Sequence, residues 1–143
     1  MDARWARDRF AVSPVGRLAT AGADGRPHLV PIVYALLGDA ICTVVDGKPK
    51  TGTRLRRLDN IRANPAVSVL VDEYHDDWDR LWWARADGSA RIVATGDPTA
   101  AAPLAALVER YPRYRSMALP GPLIVVDVYR FTGWAATRPP VVA

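Results

Sequence analysis

The densest group of residues able to do chemistry is a basic segment between positions 48 and 62. It carries six basic residues against one acidic residue, Asp59, so its local excess of positive charge exceeds the net +4 of the whole 143-residue chain. The basic residues are Lys48, Lys50, Arg54, Arg56, Arg57 and Arg62. Charge concentrated in so short a stretch indicates a local anion site more than a general surface for polyanions.

The residues in front of this predicted helix add backbone and hydroxyl donors to the basic segment. Asp46-Gly-Lys-Pro-Lys-Thr-Gly-Thr53 directly precedes a helical pattern, and the free amides and dipole at a helix N-terminus favour a phosphate or carboxylate. Arg54 and Arg57, three residues apart, share one flank of the helix, while Arg56 and Asn60 share the other. The alternative interpretation is a basic helix face exposed to solvent, which is where most Lys and Arg side chains lie.

Simple energetics suit an anionic cofactor tail at this segment. If three of these groups met one anion, charge-assisted hydrogen bonds of about 1.5–3 kcal/mol each would contribute roughly 4.5–9 kcal/mol in gross terms. Micromolar binding corresponds to about −8 kcal/mol. An anionic tail bound here would therefore supply much of a cofactor's affinity.

Other familiar chemistries lack the residues they need. His28, His75 and Cys42 are too few for a zinc site of Cys and His ligands in one chain, and no metal is predicted. The acidic tract 72–79 is interpreted as a solvated loop because its spacing matches no cation-binding loop. No nucleophile elbow and no dinucleotide-binding glycine motif is present. Residues 46–65 contain no aromatic side chain to stack on bases, so nucleic acid is not an expected partner.

Hydrophobic periodicity predicts a mainly β chain with short helices. Leu55, Leu58 and Ile61 recur at spacing three and form one apolar helical stripe, with Thr51 or Thr53 as the N-cap. Helices are predicted at 2–10, 53–63 and 98–109, and strands at 15–21, 26–36, 40–45, 66–71 and 123–132. The stretch 81–95 is either a hairpin turned at Asp87-Gly88 or one long strand bulged there, and the pattern leaves both open.

These elements predict one small antiparallel barrel. Six or seven strands joined mostly by short turns favour antiparallel pairing, and a barrel is the natural closure. A length of 143 residues, of which 50% are apolar and 24% charged, indicates a single globular domain over 1–143. The lone cysteine excludes an intrachain disulfide, and no run approaches the ~20 apolar residues of a membrane span. The opening residues lack the apolar core of a signal peptide, so we expect a cytoplasmic protein with no membrane partner.

Four stretches, by their order and spacing, resemble the pyridoxamine 5'-phosphate oxidase-like split-barrel family, in particular its flavin and deazaflavin oxidoreductases. They are similar to the family's opening hairpin, its phosphate-binding strand end and helix, the next barrel strand, and a long strand with Arg and Gly. The stretches are Gly16–Ile32, Asp46–Lys50 with Leu55–Pro65, Ala66–Asp72 and Leu81–Val93. Two details, Lys48-Pro-Lys50 and Trp82-Trp-Ala-Arg85, look most like the branch that uses the deazaflavin coenzyme F420.

The resemblance implies an antiparallel, six- or seven-stranded split β-barrel that forms a homodimer, with a cofactor groove at each subunit interface. The residues it assigns to the cofactor are the main chain at Val30, Pro31 and Ile32 near the ring, Lys48, Lys50, Thr51, Arg54 and Arg57 at the phosphate-bearing tail, and Arg85 with Trp82 or Trp83 near the ring or substrate. The family's contacts to pyridoxal phosphate are not recognisable here. Oxidation of pyridoxamine phosphate is therefore not expected.

The implied activity is hydride transfer from C5 of reduced deazaflavin to an unsaturated or conjugated small molecule, with the protein orienting the cofactor and shielding it from water. Arg85, Tyr34, bound water or the substrate itself could supply the proton. The tail of F420 carries more negative charge than FMN, so it would pair with more of the closely spaced cations. Two alternatives stay open: an FMN-dependent oxidoreductase on the same fold, and a protein that binds a flavin or tetrapyrrole without turnover.

Substitution of Lys50→Ala together with Arg54→Ala is predicted to weaken cofactor binding, because it removes two cations assigned to the anionic tail, and to leave the fold intact. Quenching of tryptophan fluorescence during titration with F420 measures the affinity. A double variant that binds F420 as tightly as the wild type would contradict the assignment of this segment to the cofactor.

Overall fold

The computed structural model describes residues 1–46 and 55–137. Within these ranges the chain forms seven strands in one sheet, three α-helices and three short 3₁₀ turns. The helices are α1 (Ala3–Val12), α2 (Arg56–Ala63) and α3 (Ala101–Arg110), and the 3₁₀ turns are Trp78–Arg80, Pro98–Ala100 and Pro112–Ser116. The strands are β1 (Gly16–Ala21), β2 (Pro27–Ile32), β3 (Ala35–Leu37), β4 (Ala40–Val44), β5 (Ala66–Glu73), β6 (Trp82–Val93) and β7 (Leu123–Ala135).

The sheet is antiparallel throughout, with the order β2-β1-β5-β6-β7-β4-β3. Its two edges, β2 and β3, are consecutive in the chain and joined only by Val33 and Tyr34. Because consecutive Cα atoms are about 3.8 Å apart, the chain from Ile32 to Ala35 spans at most about 11 Å. The sheet must therefore curl until its edges nearly meet. This confirms the predicted antiparallel split barrel with short helices and, of the six or seven strands expected, shows seven in the described residues.

The prediction of one strand over 26–36 is wrong. The chain leaves one edge of the sheet at Ile32 and joins the opposite edge at Ala35. The residues before and after this change of edge are mostly apolar, and their side chains point alternately inward and outward in one continuous register. The sequence pattern therefore shows no break where the chain changes edge. The hairpin of β1 and β2 is confirmed, with Gly25 at φ +74 in its turn, a conformation that glycine adopts at no steric cost.

The main hydrophobic core lies on the inner face of the curled sheet. Leu18, Val69 and Val126, from three different strands, are fully or almost fully buried there. Helix α1 packs across the opening, and its Phe10 ring meets the rings of Tyr34 and Phe131 edge to face at centroid distances of 5.9 and 5.7 Å. This closure buries the inward-pointing residues and leaves the outer face of the sheet to other uses.

A second hydrophobic cluster covers only part of the outer face. Leu107 of α3 and Tyr114 pack with Cys42 of β4 and Val125 of β7. No comparable cluster lies on the outer face of β2, β1 and β5 in the described part of the chain, where Leu29 remains 66% exposed and Leu70 37% exposed. An open, partly apolar sheet face is therefore available for binding.

Strand β6 is one long strand with a bulge in its pairing, which decides between the two alternatives left open for 81–95. Asp87 pairs with Arg130, but its neighbour Gly88 pairs with Val128, so Tyr129 is the extra residue on β7. A Cβ added to Gly88 would lie 2.5 Å from the carbonyl oxygen of Asp127. Glycine is therefore required where the two backbones approach at the bulge.

The predicted helix over 53–63 is confirmed for its described part, Arg56–Ala63, with Leu58 and Ile61 buried as the stripe requires. The proposed N-caps Thr51 and Thr53 lie outside the described residues, and Leu55 precedes the helix without a side-chain cap. Two strands run further than predicted: β5 reaches Glu73 and β7 reaches Ala135. A 3₁₀ turn, Pro98–Ala100, takes the place of the first turn predicted for the helix over 98–109.

Tyr34 fastens the link between the two sheet edges. Its hydroxyl donates to the carbonyl oxygen of Phe10 at 2.7 Å, at the end of α1, where Pro14 has no N–H to offer the same carbonyl. Arg110 donates to the carbonyl oxygens of Tyr34 and Ser13 and lies over the Tyr34 ring, 4.7 Å from its centroid. Burial raises the pKa of Tyr34 to about 12, although the charge of Arg110 acts in the opposite direction.

Replacing Tyr34→Phe is predicted to lower the free energy of unfolding by about 1–3 kcal/mol, because the buried Phe10 carbonyl loses its donor. Urea denaturation followed by circular dichroism measures the change. Tyr129→Phe is the matched control: Tyr129 is 71% exposed, and its variant should stay within about 0.5 kcal/mol of the wild type. Equal stabilities of the two variants would show that the Tyr34 hydroxyl does not support the closure.

Candidate functional site

A row of outward-facing residues crosses the open face of the sheet. Pro31 on the edge strand pairs with Arg17, Arg17 with Leu70, Leu70 with Arg85, and Arg85 with Thr132. Because neighbouring strands lie about 4.8 Å apart, Arg17 and Arg85 stand about 10 Å apart across Leu70. Two guanidinium groups thus flank one apolar side chain on the same surface.

A groove of about 530 Å³ lies along this row. Its volume falls within the range of about 300–1,000 Å³ that small-molecule sites occupy. The residues lining it are Arg17, Ala19, Leu29, Ser68, Leu70, Asp72 and Arg85. Its surface is mainly apolar, with charged groups at defined points: Arg17 donates to Asp72 Oδ1 at 3.3 Å, and this pair leaves little net charge at that end.

The next row on the same face is centred on Asp87, which is only 7% exposed. Its Oδ1 accepts from the Ser68 hydroxyl at 2.6 Å, and its Oδ2 accepts from Arg85 Nε at 3.3 Å. Arg130 adds two further bonds to Oδ2, from Nε at 3.2 Å and Nη2 at 3.1 Å. One carboxylate therefore orients two arginines at the border of the groove.

The electrostatics of Asp87 follow from these contacts. Burial alone would raise the pKa of Asp87, but the hydrogen bonds from Ser68 and Arg130 and the charge of Arg85 outweigh it. The pKa consequently lies below the ordinary value of an aspartate. Asp87 is a carboxylate at neutral pH, so the cluster of Arg85, Asp87 and Arg130 carries one net positive charge.

Helix α2 presents the described part of the basic segment. Arg57 in its first turn has a buried Nε that meets no hydrogen-bond partner among residues 1–46 and 55–137. Burial lowers the pKa of Arg57, and the nearby charge of Asp46 partly counteracts this. Asp46 itself is held at 2.6 Å by the Tyr114 hydroxyl, and burial together with Asp46 raises the pKa of Tyr114. A cation with an unused donor thus stands where α2 begins.

The position of α2 is set from its other side. Asn60 is buried and its amide nitrogen donates to the Thr20 hydroxyl of β1 at 3.0 Å. Gly22 makes the close approach possible, since a Cβ there would lie 2.7 Å from Asn60 Oδ1. Spacing places Arg56 and Asn60 on one flank of the helix; in the structure Arg56 is exposed, whereas Asn60 is a buried packing residue.

The structure separates some of the predicted site residues and brings others together. Pro31 is exposed on the outer face of the edge strand, in the row with Arg85. Val30 and Ile32 point to the inner side, half-buried and buried respectively, so only their backbone stands at the edge. Four predicted residues, Lys48, Lys50, Thr51 and Arg54, lie outside the described residues.

The two neighbouring tryptophans point to opposite sides of β6. Trp82 packs on the inner core, edge to face with Trp5 at 6.1 Å, and its Nε1 donates to Glu73 Oε2 at 2.7 Å. Trp83 shares the outer side with Arg85, whose guanidinium carbon lies 5.7 Å from the centroid of the Trp83 ring. Of the two, Trp83 is therefore the one that accompanies Arg85.

Tyr34 cannot act as a proton donor to a ligand on the outer face. It is fully buried, its hydroxyl is committed to the end of α1, and its pKa is raised to about 12. Of the side chains considered for this role, Arg85 is the one that lines the groove.

Several residues of this face were not predicted from the sequence: Arg17, Ser68, Asp72, Arg130 and the charged role of Asp87. Alternation within each strand would have placed Arg17 with Ala19, and Ser68 with Leu70, on one side. Which strands are neighbours was the missing information, because Ser68 and Arg130 meet Asp87 from positions 19 and 43 residues away.

Within the described residues, no group of three or more metal-ligating side chains comes together. The acidic tract contributes Asp72 and Glu73 to β5, where they bond Arg17 and Trp82. In the same part of the chain, no helix is long and apolar enough to cross a membrane.

Comparison with known proteins gives the site its context. The family model described as pyridoxamine 5'-phosphate oxidase matches residues 5–135. The chain matches no curated protein sequence.

Solved structures share the fold over nearly the whole chain. A conserved hypothetical protein from Mycobacterium tuberculosis is 26% identical, with a TM-score of 0.75, covering 100% of this chain and 92% of that one. A FAD-binding protein from Mesorhizobium loti is 20% identical, with a TM-score of 0.71 and coverages of 93% and 94%. The haem storage protein HutZ from Vibrio cholerae is 16% identical, with a TM-score of 0.70 and coverages of 94% and 95%. The latter two likenesses show the fold alone.

Replacing Asp87→Asn is predicted to lower the free energy of unfolding by about 1–2 kcal/mol at neutral pH, because two arginines lose their shared carboxylate. The pKa of Asp87 is lower in the folded than in the unfolded state. The charged carboxylate therefore stabilises the fold fully above its unfolded pKa of about 4, and this stabilisation is lost as the pH falls through the folded pKa. The difference in unfolding free energy between the wild type and Asp87→Asn should therefore become smaller in acid.

Urea denaturation at pH 7 and at about pH 3 measures both effects. Asp72→Asn is the control, since Asp72 holds one partly exposed ion pair with Arg17 and should cost about 0–1 kcal/mol. A gap for Asp87→Asn that is unchanged in acid would contradict the assigned charge.

Proposed function

The chain belongs to the pyridoxamine 5'-phosphate oxidase family, and on that premise we propose that it is an oxidoreductase that uses the deazaflavin coenzyme F420 to reduce an unsaturated or conjugated small molecule. The observation that carries the proposal is Arg57, a partly buried cation whose Nε has no partner in the described chain, at the start of a helix that follows four further predicted cofactor residues.

The residues present fit a cofactor with a multiply anionic tail. Keeping a buried guanidinium nitrogen without an acceptor is costly, and an anion at the start of α2 would remove that cost. Lys48, Lys50, Thr51 and Arg54 directly precede this point in the sequence. FMN offers one phosphate, whereas the F420 tail offers several anionic groups to the same cations, so the charge balance favours F420.

The proposed site combines this tail region with the open sheet face. Lys48, Lys50, Thr51, Arg54 and Arg57 would hold the tail. The backbone at Val30, Pro31 and Ile32 would face the ring, with Arg85 and Trp83 in place of Trp82 beside it. Pro31 supports this arrangement because it stands on an edge strand and has no N–H to pair with another strand.

The chemistry that the bound cofactor supplies is hydride donation from C5, by which the acceptor gains a hydride and then a proton and the cofactor is oxidised. The chain's own contribution is binding and orientation. Leu29 and Leu70 would exclude water from the groove, and Arg85 would fix the acceptor by its charge. Tyr34 is buried and takes no part, so the proton would come from Arg85, from a bound water or from the acceptor itself.

The same proposal includes a cytoplasmic homodimer that covers the open face. Exposed Leu29, Leu70 and Trp134 on one side of the sheet form the kind of apolar surface that an interface buries. A second copy of the chain would turn the open groove into an enclosed one, where charged contacts are stronger.

A flavin is the second candidate cofactor. The Mesorhizobium loti structure of the same fold is that of a FAD-binding protein, and the HutZ structure is that of a haem storage protein. In a flavin enzyme, or in a protein that binds a flavin or tetrapyrrole without turnover, the ligand would occupy the same face and would neutralise fewer of the cations assigned to the F420 tail. Relative affinity decides among these.

Titration of cofactor-free protein with F420 and, separately, FMN is the decisive experiment, with tryptophan fluorescence as the signal. We expect tighter binding of F420, and about a tenfold loss of its affinity in Arg57→Gln, because one charge-assisted bond is removed. Arg62→Gln is the matched control on the same helix: Arg62 is exposed in the last turn and its variant should bind like the wild type.

A preference for FMN would replace the cofactor and keep the fold. Binding of neither compound would contradict the proposal that the protein is an oxidoreductase that uses F420 or FMN. Equal losses in the two arginine variants would show that α2 acts only through its overall charge.

A further inference from the structure

We infer that the acceptor is an apolar molecule carrying a single carboxylate, and that the Arg85 guanidinium binds this carboxylate in the groove on the open sheet face. The inference rests on the proposed function, since it names the substrate class of that site. It is carried by how the charges around the groove are paired, which the cofactor assignment does not use.

Arg85 is held in a way that leaves its outer edge available. Its Nε donates to Asp87 Oδ2 at 3.3 Å, and its guanidinium carbon lies 5.7 Å from the centroid of the Trp83 ring. Its two terminal nitrogens donate to no group in the described residues, and the side chain is 42% exposed. A guanidinium fixed on one edge and open on the other is prepared for a two-point bond to a carboxylate.

The other two arginines near the groove are each bonded to a carboxylate in a different way from Arg85. Arg17 is paired with Asp72 at 3.3 Å, and Arg130 directs both its Nε and its Nη2 to Asp87. Ser68 holds the second oxygen of Asp87, so this carboxylate cannot easily turn away from the arginines. Of the two arginines that line the groove, Arg17 has the carboxylate of Asp72 to itself, whereas Arg85 shares Asp87 with Arg130. The uncompensated positive charge at the groove therefore lies at Arg85.

The charge count selects a monoanion. Arg17 and Asp72 cancel, and the cluster of Arg85, Asp87 and Arg130 has one positive charge in excess. One carboxylate on the ligand would neutralise this excess. A dianion such as a phosphate monoester would leave a negative charge beside Asp72 and Asp87, which is unfavourable in a partly enclosed groove.

The rest of the groove favours an apolar body. Leu29 and Leu70 contribute exposed side chains, and Ala19 adds a small one between them. The groove's volume of about 530 Å³ accommodates a small organic molecule. A conjugated acid with its chain over the leucines and its carboxylate at Arg85 would satisfy both parts of the surface.

The test uses trans-cinnamate and its neutral counterpart cinnamamide, which share the conjugated apolar body and differ in charge. Isothermal titration calorimetry measures both affinities for the full chain, alone and with F420 added in excess. We expect the wild type to bind cinnamate about tenfold more tightly than cinnamamide, as one two-point charged contact implies.

Arg85→Gln should abolish this preference and leave the affinity for cinnamamide unchanged. Arg85→Lys should retain part of the preference for cinnamate, because lysine keeps the positive charge but lacks the two parallel N–H donors of the guanidinium. Arg91→Gln is the matched control, since Arg91 lies further along β6, pairs with Asp127 and does not line the groove. Circular dichroism verifies that each variant is folded.

Equal affinities of the two probes for the wild type, no binding of either, or a preference that survives Arg85→Gln would each overturn the inference. These outcomes are independent of the F420 titration with Arg57→Gln, which tests the proposed function at the tail. A preference for cinnamate without any binding of F420 would support the anion site and remove the deazaflavin assignment.

Discussion

The two-residue link between β2 and β3 is the constraint on which the rest of the structure depends. A chain that must pass from one edge of a seven-stranded sheet to the other through Val33 and Tyr34 forces the sheet to curl. Tyr34 then fixes the link, by a hydroxyl bonded to the end of α1 and a ring covered by Arg110. With the inner face filled by this closure, functional groups are left to the outer face.

That division into faces decides which residues are able to act together. Trp82 and Trp83 are neighbours in sequence, yet Trp82 packs against the inner core beside Trp5 and Trp83 lies beside Arg85 on the open sheet face. Conversely, Ser68, Asp87 and Arg130 are distant in sequence and form one hydrogen-bonded cluster. The order of the strands in the sheet thus forms the groove, and its charged residues pair with partners on neighbouring strands.

The same distinction explains what the sequence was able to predict. Features encoded within a few residues were predictable: the glycine turn between β1 and β2, and the stripe of Leu58 and Ile61 on α2. The change of edge at Val33 and Tyr34 was not, because local alternation is the same for one long strand and for two strands at opposite edges. The basic segment was visible as charge, but Arg57 acquired its distinct character only through burial.

The bulge at Tyr129 connects the core to the site. Before it, Ile124, Val126 and Val128 point inward from β7; after it, Phe131 does. The extra residue therefore reverses which positions face the core, and Arg130, which simple alternation would direct inward with Val128, instead reaches Asp87 on the outer face. Without that reversal Asp87 would hold only one arginine, and no excess positive charge would remain beside the groove. The sequence carries a trace of this reversal, since Val126 and Val128 are two residues apart whereas Phe131 follows Val128 by three.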